Sequence, residues 1–88
     1  MSDPIYIIHV KVSDEWKPLS RSGSPPYVFS SGADAWRMAN ICYPDTLTDM
    51  RLGGEERVRV TRVSPERFRE RFSVQPTPEI PQLLETAL

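Results

Sequence analysis

The sequence has one cysteine, Cys42, and one histidine, His9. These are the two residue types that most often build metal and nucleophile sites. A lone cysteine excludes an intramolecular disulfide framework and a cysteine-based zinc site. With a single histidine and no paired acid spacing of the zinc or calcium type, no metal is expected, and nothing implies another cofactor. No apolar run approaches the roughly 20 residues of a membrane helix. Met1-Ser2-Asp3-Pro4 lacks the basic start and apolar core of a secretory signal, so a cytoplasmic protein is expected. Charge of one sign is not in excess: 11 Lys plus Arg against 12 Asp plus Glu give a net charge of -1. At 88 residues the chain has room for one small domain and a tail, since chains this short struggle to bury even one core.

What the sequence does have is patterned. Ile5–Val12 is rich in β-branched and aromatic residues and reads as a strand. Tyr6, Ile8, Val10 and Val12 share one face. Ile5, Ile7, His9 and Lys11 share the other, which turns polar toward its end. Ser13-Asp14-Glu15 is a turn, and Trp16–Leu19 a short returning strand that Pro18 places at a sheet edge. Residues 20–26 have loop composition. Tyr27-Val28-Phe29 is either a second piece of that strand or a third strand.

Ser31 and Ser64 each stand where a hydroxyl caps a helix start, the latter followed by Pro65 and Glu66. The first helix is expected over 32–43, with Ala35, Trp36, Ala39, Cys42 and Tyr43 on one apolar stripe, and Trp36 buried against the sheet. Thr46–Arg51 is ambiguous, with a helical turn one reading of it. Gly53-Gly54 lacks the lysine and hydroxyl of a phosphate loop and marks a tight turn. Residues 56–63 alternate as a half-buried strand. A second helix is expected over 65–72, with Phe68 and Phe72 on one side; Trp16 and Trp36 join them as core bulk. The expected architecture is α+β: a small antiparallel sheet of about three strands, one main helix on one face, a short second helix, and a Pro-rich C-terminal tail. The domain spans 1–72 and the tail 73–88. Ile80, Leu83, Leu84 and Leu88 fall at helical spacing but form too short a segment to stand alone. They are expected to dock on their own domain, on a twin subunit as a homodimer, or on a partner.

Catalysis is not indicated. Nothing in the spacing brings His9 to a nucleophile and an orienting acid. The pairs Asp45/Asp49 and Glu55/Glu56 read as solubility charges on turns. The more informative feature is charge placement: residues 51–71 hold seven arginines against four acids. Arg57 and Arg59 project from one strand face, Arg62 from the other, and Arg67 and Arg71 from the following helix. Such a cluster serves as a solvated face, as a protein contact, for which arginine is favoured, or as a phosphate contact. The residues expected to meet a partner are therefore Arg57, Arg59, Arg62, Arg67 and Arg71, with Ile80, Leu83, Leu84 and Leu88 from the tail.

The strand Ile5–Val12, the Ala-Asp-Ala-Trp-Arg-Met-Ala stretch at 33–39 and Leu-Gly-Gly-Glu-Glu-Arg-Val-Arg-Val at 52–60 resemble, in size and element order, the small orphan α+β proteins of phages and mobile elements. That group includes the anti-CRISPR inhibitors of type I complexes. The resemblance implies a non-enzymatic binder that blocks a host surveillance complex or nuclease by occluding a surface. Anti-CRISPR proteins share no signature, so it assigns no residue. Acids that imitate DNA phosphates are common among them, whereas acids and bases are balanced here. The alternative is a small nucleic-acid-binding accessory protein using the basic surface of 57–71.

Overall fold

The computed structural model describes residues 3–20 and 24–79. The chain begins with a hairpin of β1 (Ile5–Val12) and β2 (Glu15–Pro18). Ser13 and Asp14 connect them with φ of 50° and 65°. Two left-handed residues in a two-residue loop match the right-handed twist of the strands, so this turn fixes the register Val12↔Glu15, Lys11↔Trp16 and His9↔Pro18. Even-numbered β1 residues bond toward β2, as Leu19 N donating to Ile8 O at 2.8 Å shows. Pro18 sits opposite an odd residue, so its missing N–H falls on the outer side, where no ladder bond is lost. Tyr27–Phe29 is the second piece of this edge. Phe29 exchanges both main-chain bonds with Tyr6, at 2.8 and 2.9 Å.

Helix α1 (Gly32–Cys42) starts at Ser31, whose Oγ accepts the Asp34 N–H at 3.1 Å. Pro44 ends it and occupies the first position of α2 (Pro44–Arg51), so the ambiguous 46–51 stretch is helix, and longer than a turn. The tight turn follows with Gly53 at φ 97°, and a side chain at Gly54 would meet the Asp49 backbone at 2.8 Å. Strand β3 (Val58–Val63) begins two residues later than the alternation suggested. Helix α3 (Pro65–Phe72) is capped by Ser64 Oγ accepting from Arg67 N, and closed by Ser73 in the left-handed region. The sheet order is β2-β1-β3, all antiparallel. The expected α+β architecture is therefore present.

Both sheet faces are covered, unequally. On one, Ile8, Phe29 and Val58 pack under Ala35, Met38 and Ala39 of α1 and Leu47 of α2. On the other, Ile5, Ile7 and Val28 pack under Phe68 of α3, whose ring lies 4.8 Å from that of Phe72. Trp36 is not core: it is 43% exposed. Ala35 and Ala39 are the residues that let α1 approach the sheet closely, and Met38 fills the remaining space. One residue further round, Trp36 is rotated by about 100° to the helix flank. There it overhangs a shallow pit with Asn40, Leu47, Met50 and Arg51. Cys42 is exposed as well, at the last residue of α1. Trp16 is half-buried and outside both clusters.

Past α3, residues 73–79 form no helix or strand. They reach the outer side of the hairpin edge, where Glu79 N donates to Val28 O at 2.6 Å. Ile80, Leu83, Leu84 and Leu88 lie outside the described residues.

Candidate functional site

Strand alternation decides which side chains meet. His9 and Lys11 of β1, Trp16 and Pro18 of β2, and Arg59 and Thr61 of β3 lie across from one another on the α3 side of the sheet. Helix α3 covers only the half built on Ile5, Ile7 and Val63. The other half is open. On it the guanidinium of Arg59 lies 4.1 Å from the centre of the Trp16 ring and donates to Glu56 at 2.7 Å. Stacking on an aromatic ring holds a long side chain flat against the sheet, and the ion pair with Glu56 is exposed, so it is worth at most about 1 kcal/mol. Lys11 donates to Glu55 at 2.8 Å, and Arg57 Nε stands 3.9 Å from the same carboxylate. That hydrogen bond raises the Lys11 ammonium above its ordinary range and lowers the Glu55 carboxyl.

Beside this face runs an open groove of about 850 Å³. Its floor is Ile7, Thr61 and Val63, and its wall is the α3 flank carrying Arg67, Glu70 and Arg71. Arg67 and Arg71 stand one turn apart on that flank. Neither has a carboxylate within 4.0 Å among the described residues. Arg71 instead lies 5.3 Å from the Phe72 ring centre. Arg62 borders the groove, but its register opposite Tyr6 sends its side chain from the other sheet face.

Of the expected partner-facing arginines, the structure thus gathers Arg59, Arg67 and Arg71 around one surface. Arg57 sits at its margin and Arg62 at the sheet edge. His9, Trp16 and Thr61 belong to the same surface and were not anticipated there. The signal was available: a two-residue turn at Ser13-Asp14 puts Trp16 opposite Lys11, on the parity of His9.

His9 Nδ1 lies 3.1 Å from Thr61 Oγ1, the tautomer deciding which group donates. Burial, and then the charges of Arg71 and Arg59, hold the imidazole below its ordinary pKa of 6.5. The ring is flanked by guanidinium groups, and among the described residues it has no hydrogen-bonded carboxylate of the kind that orients a catalytic histidine. Cys42, at the end of the helix on the opposite face, does not join it. Among the described residues no group of three His, Cys, Asp or Glu side chains is placed to hold a metal ion, and no helix is long and apolar enough to cross a membrane. Compared with known protein families, curated proteins and solved structures, the chain matches none.

Proposed function

We propose that the protein is a non-enzymatic binding module that acts by covering a surface on a protein partner, in the manner of the phage and mobile-element inhibitors of host CRISPR complexes. The observation that carries the reading is the open half of the sheet face. Trp16 and Arg59 are stacked there in a fixed geometry, with Arg67 and Arg71 beside them. Tryptophan and arginine are the side chains that most often carry protein–protein binding energy, and both are held by the fold before any partner arrives. The carboxylates Glu55 and Glu56 offset the charge at one margin, which favours a mixed polar partner over a bare polyanion. The inhibitor reading is tested by expressing the chain in cells whose type I complex excludes a targeted plasmid. Restored transformation, lost when Trp16 and Arg59 are both changed to Ala, is expected. Continued exclusion across type I systems removes the inhibitor reading.

A second reading, nucleic-acid binding, is favoured by one observation: Arg62, Arg67 and Arg71 have no carboxylate partner among the described residues. Three phosphate contacts would give a salt slope of about −3 in log affinity against log salt. Titration with duplex DNA and with single-stranded RNA at two salt concentrations separates the readings, since the protein-binding one expects no saturable binding at physiological salt.

A further inference from the structure

Among the described residues the sheet ends at β3. In the β1–β3 ladder the odd residues form the hydrogen-bonded pairs, as Lys11 N donating to Arg57 O at 2.8 Å in the same register shows. Arg59, Thr61 and Val63 therefore direct their main-chain groups to β1. Val58, Val60 and Arg62 direct theirs outward; Val58 is fully buried, so the accessible part of the edge is Val60 and Arg62, whose main-chain groups meet no main-chain or side-chain partner among the described residues. Strand β3 carries no proline, and its register with β1 runs unbroken from Val58 to Val63. Val60 and Arg62 offer donors and acceptors at strand spacing, and the groove beneath α3 opens alongside them.

We propose that β3 accepts an extended, acidic segment of a partner protein as a fourth strand. This rests on the protein-binding reading and names the mode and chemistry of that binding. An added strand would pair its main chain with Val60 and Arg62. Its side chains alternate. Those on the α3 side fall beside Arg59 and Thr61, at the mouth of the groove walled by Arg67 and Arg71. Those on the other side fall beside Arg62. Arginines without carboxylate partners thus stand on both faces of the incoming strand, which is the charge complementarity that selects acidic side chains; Glu70 is the one carboxylate in the groove wall. The same charges oppose a second copy as the occupant. Two β3 strands pairing with each other would bring two arginine clusters together, and charged side chains on an edge are a common guard against self-pairing.

The test uses the full chain, isotope-labelled, and two capped eight-residue peptides. One alternates Glu or Asp with Val or Thr; the other replaces its acids with Gln and Asn. With the acidic peptide, the amides of Val60 and Arg62 are expected to shift saturably below about 1 mM, and their hydrogen exchange to slow by tenfold or more. The neutral peptide, and the acidic one against the R62E/R71E variant, are expected to bind at least tenfold more weakly. Arg62 and Arg71 are exposed, and the variant's unperturbed spectrum elsewhere confirms that it folds. The proposal is overturned by an absence of saturation, by equal binding of the neutral peptide, by shifts confined to other surfaces, or by a dimer that already protects these amides without peptide. Plasmid protection that survives in R62E/R71E but is lost on changing Trp16 and Arg59 overturns the edge as the contact and leaves the binding reading standing.

Discussion

Phe29 and Trp36 show what a single side chain does here and how unevenly size predicts it. Phe29 is fully buried beneath α1, whereas the larger Trp36 lies on the helix flank. Phe29→Ala should cost about 3–5 kcal/mol in urea unfolding, the range for losing a buried aromatic ring. Trp36→Ala should cost about 1 kcal/mol or less, as for a surface change. Equal costs would place Trp36 in the core after all. The apolar stripe of α1 was legible as a period, but its centre was not. A helical period does not say which of two adjacent apolar residues faces in; the two small alanines and the space left by Phe29 decide that. His9 gives a residue-scale pH dependence. Its folded pKa lies below the ordinary 6.5, because burial and then Arg71 and Arg59 disfavour the imidazolium. The unfolded chain therefore binds more protons as pH falls through 6.5 toward the folded value. The stability contributed by neutral His9 is complete above that window and lost below it. His9→Gln should flatten this part of the melting-temperature profile between pH 7 and pH 5, which a pH series of thermal melts would read. An unchanged slope would show that His9 is not the group responsible.

Element boundaries were the best-marked feature of the sequence, because they are written in local chemistry. Ser31, Ser64, Pro65 and the glycine pair each act within a turn of where they stand. The strand Ile5–Val12 and the helix Pro65–Phe72 fall at their expected limits. Contacts between elements were less legible. That α3 covers the face opposite α1 depends on how Val28 and Phe68 meet across distant segments, and no local signal carries this. The turn at Ser13-Asp14 stands between the two cases, since its length set the register of the site. Both residues have positive φ and neither is glycine. The double change S13N/D14G supplies the preferred residues for this turn and should stabilise the hairpin by about 0.5–1 kcal/mol in chemical denaturation. Destabilisation would mean that one of the two side chains has a role the turn geometry does not show. Ser64→Ala removes the α3 cap and should cost about 1 kcal/mol. Because α3 walls the groove, the same variant should also weaken any contact made there.

At the scale of the whole molecule, the small α+β fold separates two jobs. One sheet face is closed by α1 and α2. The other is closed only over half its area, and the remainder, together with the edge of β3, displays the basic stretch that stood out in the sequence. The existence of that stretch was legible from composition. That it surrounds Trp16 and His9, and that Arg62 leaves from the opposite face, required the register. The central claim is that a partner protein is met on the α3 side of the sheet. It is tested most directly by placing a photo-crosslinking amino acid, in turn, at Trp16 on the open face and at Leu52, which is 82% exposed beyond α2. Irradiation in the native cell should give a discrete adduct with a second protein from position 16 and none from position 52. An adduct from position 52 alone, or one from position 16 that nuclease digests, would contradict the claim.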